Sequence, residues 1–167
     1  MDQLPEIKVR RARPSDAERI AMFVNRTRPP GQEITPEEVL SRFGMAGFLL
    51  AEAGGEMVGL LGWQAENLVA RVTDFLILPA RFRLTAGRAL LTAMEEAARE
   101  LQCEAAILFV PSNTSLEVLS FWEAFGYSFR EVAALPRAWR EAAREANPSG
   151  DWVVLKQLRE DRVMRPM

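Results

Sequence analysis

Two apolar runs of strand length, "DFLILP" and "EAAILFVP", flank the stretch "LTAGRALLTAMEEAAREL". A strand that is apolar on both faces has to be covered on both, which makes these two runs central in a sheet. The stretch between them puts Leu91, Met94, Ala98 and Leu101 on one helical face and charges on the other. Strand, helix and strand in that order close as a right-handed parallel crossover, with Pro79 ending the first strand. Helices on both sides of a mixed sheet are the natural way to bury such a unit.

The flanking sequence extends this pattern. "IKVRRA" alternates as a short strand, and "PSDAERIAMFVNRT" follows as a helix with Ile20, Phe23 and Val24 on one face and Ser15 and Glu18 spaced as a capping box. "RPPGQEI" breaks that helix. "TPEEVLSRF" starts another, with Thr35 as N-cap, Pro36 in the first position and Glu38 closing the box. "GFLLAEAGGEMVGLLGWQAE" reads as two strands about Gly54 and Gly55, a pair suited to the positive φ of a tight hairpin. "LVARVTDFLILP" continues the meander. "SNTSLEVLSFWEAFGY" is a helix with Thr114 and Glu117 spaced as a capping box and Gly126 as its stop. "SFREVAAL" and "DWVVLKQL" are the last strands, with a helical insert near residues 136–150 between them. The expectation is one α/β (α+β) domain over residues 1–167, with about six to seven strands in a mixed central sheet flanked by helices.

Composition narrows the chemistry. The 167 residues contain no histidine, which excludes histidine-based triads, histidine-ligated zinc and histidine general bases. The single cysteine, Cys103, excludes an internal disulfide and offers no metal-ligand spacing. The net charge of −2 provides no global field for nucleic acid or a membrane surface. No run resembles a signal peptide or a membrane span, so a cytoplasmic protein is expected.

The element order and several strings resemble the GCN5-related N-acetyltransferases, or GNAT family, over residues 7–158. "LLAEAGGEMVGLLGW" looks like the family's second and third strands. "FLILP" followed by "GRALL" looks like its fourth strand and cofactor helix, and "NTSLEVLSFWEAFGY" like its Asn-led helix. The resemblance implies acetyl-CoA as cofactor, with its pyrophosphate at the third helix N-terminus, where unsatisfied N–H groups and the helix dipole favour anions. It implies that backbone groups near Leu76, Ile77 and Leu78 pair with the pantetheine arm, and that Asn113 contacts the cofactor.

Two departures from the family pattern stand out. Aligned on "GRALL", residues 82–87 keep only the last of the usual glycines, Gly87. Residues 81–86 recover an arginine and Ala86 but leave Leu84 at a glycine position. Leu84, Thr85 and Ala86 then line the cofactor loop, and Arg83 and Arg88 can offset lost backbone approach by pairing with phosphate. Trp122 falls where many members carry a tyrosine that protonates the departing thiolate. An indole has no usable acidic proton, so Trp122 is expected to pack, in the core or against the cofactor. Tyr127 and Ser120 are weak substitutes.

Asp74, on the fourth strand, is the candidate base. A carboxylate within an apolar strand has to be paired, so a salt bridge to Arg71 or another arginine competes with that role. Glu66 and Glu52 read as surface residues. The implied activity is acetyl transfer from acetyl-CoA to the amine of a small molecule or peptide, with "NRTRPPGQEI" and the insert bordering the acceptor. The alternative is a catalytically silent acyl-CoA sensor or interaction module. A homodimer could form through an exposed edge at "DWVVLKQL".

Overall fold

A computed structural model describes residues 5–160. Its elements run in the order β1 (Ile7–Arg11), α1 (Ala17–Asn25), α2 (Pro36–Arg42), β2 (Gly47–Ala53), β3 (Glu56–Glu66), β4 (Val69–Ile77), α3 (Arg83–Glu100), β5 (Ala105–Phe109), α4 (Leu116–Glu123), β6 (Ser128–Glu131), α5 (Arg137–Ala146) and β7 (Trp152–Gln157). The seven strands form one mixed sheet in the order β1-β2-β3-β4-β5-β7-β6, with β4 at its centre. The chain divides into two compact units, Met1–Gln64 with Thr73–Met94, and Ala65–Val72 with Glu95–Met167.

The first unit is built on an antiparallel meander. Lys8 pairs with Glu52 across β1 and β2, and Leu50 with Leu60 across β2 and β3. Gly54 and Gly55, at φ +59° and +84°, make the tight turn expected of that dipeptide. Strand alternation gives the meander two apolar faces. On one, Ile20, Ala21 and Phe23 of α1 and Val39 of α2 pack on Phe48, Leu50 and Leu60, with Leu76 and Leu78 against them. On the other lies α3. A Cβ on Gly59 would sit 2.9 Å from Leu90 and 3.2 Å from Ala51, so only glycine lets that helix approach the strand this closely. Thr35 caps α2 as expected, its Oγ1 accepting from the Glu38 N–H at 3.1 Å. The Glu38 carboxylate accepts from the Thr35 hydroxyl, so the box closes side chain to side chain.

In the second unit, Val69, Ala70 and Arg71 of β4 pair in parallel with Ala105, Ala106 and Ile107 of β5, as the crossover required. Strand β7 is antiparallel to both β5 and β6. It is therefore an inner strand, and the edge expected at "DWVVLKQL" belongs to β6 instead. The insert does form a helix. Its Trp139, Ala142 and Ala143 pack into a core with Val69, Ile107, Val132, Val153 and Leu155, so α5 is part of this unit's interior rather than an appended segment.

Three local expectations fail for physical reasons. Ser15 and Glu18 form no box, because Pro14–Asp16 make a 3-10 turn and the Asp16 carboxylate takes the Arg13 N–H at 2.8 Å. Ser115, not Thr114, caps α4, while the Thr114 hydroxyl donates to the Pro111 carbonyl at 2.6 Å. Leu101 lies past the end of α3 and is 60% exposed, whereas Leu91, Met94 and Ala98 are buried as their spacing demands.

Candidate active site

Asp74 is held on β4 with its side chain on the α1 and α2 face of the first unit. Arg42, the last residue of α2, forks onto it, donating from Nη1 to Oδ1 at 2.8 Å and from Nη2 to Oδ2 at 2.6 Å. The Thr73 hydroxyl donates to Oδ2 at 2.7 Å. A paired carboxylate was expected at this position, but Arg71, the partner suggested by proximity, ion-pairs with Glu66 at 3.4 Å. Three of the roughly four acceptor sites of a carboxylate are thus taken. One acceptor site is left for a further donor.

Residues with no functional signature of their own in the sequence build this site. Gly62 makes room for it: a Cβ there would lie 2.5 Å from Asp74 Oδ2 and 2.8 Å from both Thr73 Oγ1 and Phe48. Arg42 lies over the Phe48 ring at 5.4 Å, so a cation–π contact orients the fork. Asn25 brackets the α1–α2 connection, donating to the Ile34 carbonyl at 2.9 Å and accepting the Ile34 N–H at 2.8 Å. The signal available in the sequence was the Glu38–Arg42 spacing, which puts both side chains on one face of α2.

Next to the Asp74–Arg42 pair is a cavity of about 290 Å³. Ile20, Val24, Ile34, Val39, Phe48 and Leu60 give it an apolar lining, and Arg28, Glu38, Arg42 and Asp74 are the charged groups at its wall. Val24 to Ile34 belong to the end of α1 and the connection after it, the segment expected beside the acceptor. Glu52, expected on the surface, is drawn into ion pairs with Arg10 at 3.2 Å and Arg19 at 3.1 Å.

Beyond Asp74 the strand leads to the third helix. Ile77 packs on the α3 side, near Gly59, while Leu76 and Leu78 pack on the α1 and α2 side. The Leu78 N–H bonds to the Val58 carbonyl at 2.9 Å, so this backbone donor is committed to β3. A 3-10 turn, Ala80–Phe82, joins the strand to α3, and the helix already begins at Arg83. Residues 83–87, read as lining the loop before the helix, are instead its first turns, because the segment lacks the early glycines that would break it. Leu84 is 58% exposed, Arg83, Thr85 and Arg88 are also exposed, and Ala86 and Gly87 are buried. The first turns of α1, α2 and α4 carry acids, whereas those of α3 and α5 carry none; α3 begins at Arg83, with Arg81 just before it.

In the second unit, Trp122 is buried and answers a structural need. Gly126, at φ +91°, ends α4, with the Gly126 N–H bonding to the Glu123 carbonyl and the Tyr127 N–H to the Trp122 carbonyl. This is a Schellman cap, which brings together the side chains that Trp122 and Tyr127 contribute. Their rings meet edge to face at 5.2 Å. Tyr127, the only tyrosine, is 1% exposed and donates to Glu95 Oε2 at 2.8 Å. Lys156 holds the other Glu95 oxygen at 2.9 Å. Burial, followed by the adjacent Glu95 charge, pushes the phenol well above its ordinary range. Asn113 lies in the exposed turn before α4. Among the described residues no group of three or more His, Cys, Asp or Glu could hold a metal, and no helix is long and apolar enough to cross a membrane.

The fold is shared with solved acetyltransferases. A GNAT-family acetyltransferase from Staphylococcus aureus Mu50 superposes with a TM-score of 0.68 at 15% identity, over 92% of this chain and 99% of that one. The PaiA N-acetyltransferase from Thermoplasma acidophilum, solved in complex with coenzyme A, gives 0.62 at 15%, over 91% and 99%. A GNAT-family acetyltransferase from Streptococcus pneumoniae gives 0.60 at 18%, over 90% and 96%. No curated protein matches the sequence. The sequence pattern of the acetyltransferase (GNAT) family matches residues 16–127, about two thirds of the chain, and the protein belongs to that family.

Proposed function

We propose that the protein transfers an acetyl group from acetyl-CoA to a primary amine. The observation that carries this reading is the layout of β4. Asp74 faces the cavity on one side of the strand, and the chain then turns at Pro79 into a long helix whose first turn has no acid and is flanked by arginines. Acids at a helix start offset the dipole, and α3, like α5, has none. An arginine-bearing start suits an anionic ligand such as a pyrophosphate. Acetyl-CoA would supply the activated acetyl group. Arg83, Leu84, Thr85, Ala86, Gly87 and Arg88 would hold its phosphates, and the Leu76–Leu78 backbone would border its arm. Leu78 can contribute only its carbonyl, since its N–H is taken.

Asp74 would attract and orient the amine and accept its proton through its remaining lone pair, directly or through water. Arg42 and Thr73 keep that carboxylate in place. Neither Trp122 nor Tyr127 can protonate a leaving thiolate: one has no acidic proton and the other is buried on Glu95. Water has to do so, and the expected transfer is slow. The same observation favours a second reading, an acyl-CoA-binding protein without turnover. The proposal extends to a single domain over residues 1–167 acting in the cytoplasm, and to self-association through an outer strand.

Calorimetric titration with coenzyme A, followed by thiol release from acetyl-CoA across a panel of amines, tests the proposal. Saturable binding with amine-dependent thiol release supports transfer. Binding with no release from any amine supports the silent reading. Absence of binding up to millimolar concentration removes both.

A further inference from the structure

The cavity beside Asp74 has a composition more specific than an amine site requires. At about 290 Å³ it accommodates a compact group. Six aliphatic or aromatic side chains line it, which favours an apolar body over a polyhydroxylated or multiply charged one.

The charges sort into three kinds. Arg42 is neutralised by the bidentate contact with Asp74. Among the described residues the Glu38 carboxylate accepts from Thr35 alone, which leaves the acid side of the cavity, Glu38 with Asp74, able to attract an ammonium group. Arg28 is exposed, lines the cavity and ion-pairs with no described residue, so it is a cation available to a ligand anion. Its position is constrained from two sides. The Arg28 N–H bonds to the Asn25 carbonyl at 3.2 Å, and the Asn25 side chain clamps Ile34 at the other end of the connection.

We infer that the acceptor is a free amino acid with a branched aliphatic or comparably apolar side chain. Its side chain fills the apolar lining, its amine lies toward Asp74 and Glu38, and its carboxylate pairs with Arg28. The inference rests on the acetyl-transfer reading and goes further by naming the substrate class. In the transfer the amine nitrogen forms the new bond to the acetyl carbon and the carbon–sulfur bond of acetyl-CoA breaks. The bound ammonium first gives up one proton to solvent; after attack the nitrogen loses a second to Asp74 or water, and the released thiolate takes a proton from water, so one proton is released overall.

The test compares L-leucine, L-leucinamide, which lacks the carboxylate, and spermidine as acceptors. The full chain is assayed with acetyl-CoA as the wild type, Arg28→Ala and Arg28→Lys. The wild type should prefer L-leucine, and Arg28→Ala should raise its KM by about tenfold or more, the usual loss for a charge-assisted contact, with kcat within about threefold. L-leucinamide should be indifferent to Arg28→Ala, and Arg28→Lys should recover part of the leucine KM. Equal use of leucine and leucinamide by the wild type, equal damage to both by Arg28→Ala, or preference for spermidine would overturn the assignment.

Calorimetric binding of L-leucine to the protein with coenzyme A present separates the two layers. Arg28-dependent leucine binding without acetylated product from any amine upholds the cavity assignment and removes acetyl transfer. Acetylation of other amines with no leucine binding overturns the cavity assignment and leaves transfer standing.

Discussion

Tyr127→Phe distinguishes a structural phenol from a catalytic one. The hydroxyl donates to Glu95 at 2.8 Å in a site where Tyr127 is 1% and Glu95 5% exposed, and Lys156 holds the other carboxylate oxygen at 2.9 Å. Removing the hydroxyl leaves the ring packing against Trp122 intact and takes one of two strong donors from a buried carboxylate. A hydrogen bond to a charged group contributes about 1.5–3 kcal/mol. At about 2–4 °C per kcal/mol for a domain of this size, the melting temperature should fall by roughly 3–12 °C. Alkaline pH adds an independent signature. The folded-state phenol is raised above its ordinary value of 10.0, so the folded state keeps the proton that the unfolded state loses. Wild-type stability attributable to this group is therefore complete below about pH 10 and declines above it. Tyr127→Phe should lack that component. Thermal unfolding monitored by circular dichroism from pH 7 to 11 measures both effects. An unchanged melting temperature combined with a hundredfold loss of acetyl transfer would instead make Tyr127 the acid.

Other perturbations separate the remaining contributions. Arg83→Ala should weaken coenzyme A by about tenfold in calorimetry while leaving pantetheine unaffected, because a phosphate contact is charge-assisted. Gly62→Ala should cost about 1–3 kcal/mol in urea unfolding and sharply reduce acetyl transfer, since the added Cβ would displace Asp74 and Thr73. Asp16, which accepts two Arg10 hydrogen bonds at 2.9 Å, has its carboxyl lowered to about 2. Its stabilisation is present above the ordinary carboxyl value of 3.8 and is lost as pH falls toward 2, so Asp16→Asn should flatten acid unfolding in that window.

The parts of this fold that were legible in the sequence are those in which one local pattern determines one outcome. The apolar runs at "FLILP" and "AAILF" could only be inner strands. Gly54-Gly55 could hardly be anything but a tight turn, and Thr35-Pro36 start their helix as capping chemistry requires. Competing caps were not legible: Ser115 and Thr114 are chemically equivalent, and tertiary geometry chose between them. Strand order after β5 was hidden for the same reason, since β6 and β7 both read as half-buried strands and only packing placed β7 inside. Within the site, Asp74 announced itself as a charge in an apolar strand. Its partner did not, because Arg42 lies 32 positions away and reaches it only once α2 has docked. Trp122 stood out as a departure at a family position. Its reason is local, a Schellman cap whose outer residue is Tyr127, and that was visible in the Gly126 that follows it.

Mass spectrometry of the acceptor decides whether acetyl transfer proceeds without a tyrosine acid. The protein would be incubated with acetyl-CoA labelled in the acetyl group and with L-leucine among a mixture of amines, as the wild type and as Trp122→Phe. A labelled N-acetyl product that saturates with acetyl-CoA is expected, with the Trp122→Phe rate within about threefold of wild type because no proton comes from the indole. Saturable coenzyme A binding with no labelled product from any amine would contradict that expectation, as would loss of product in a Trp122→Phe protein that still folds and binds coenzyme A.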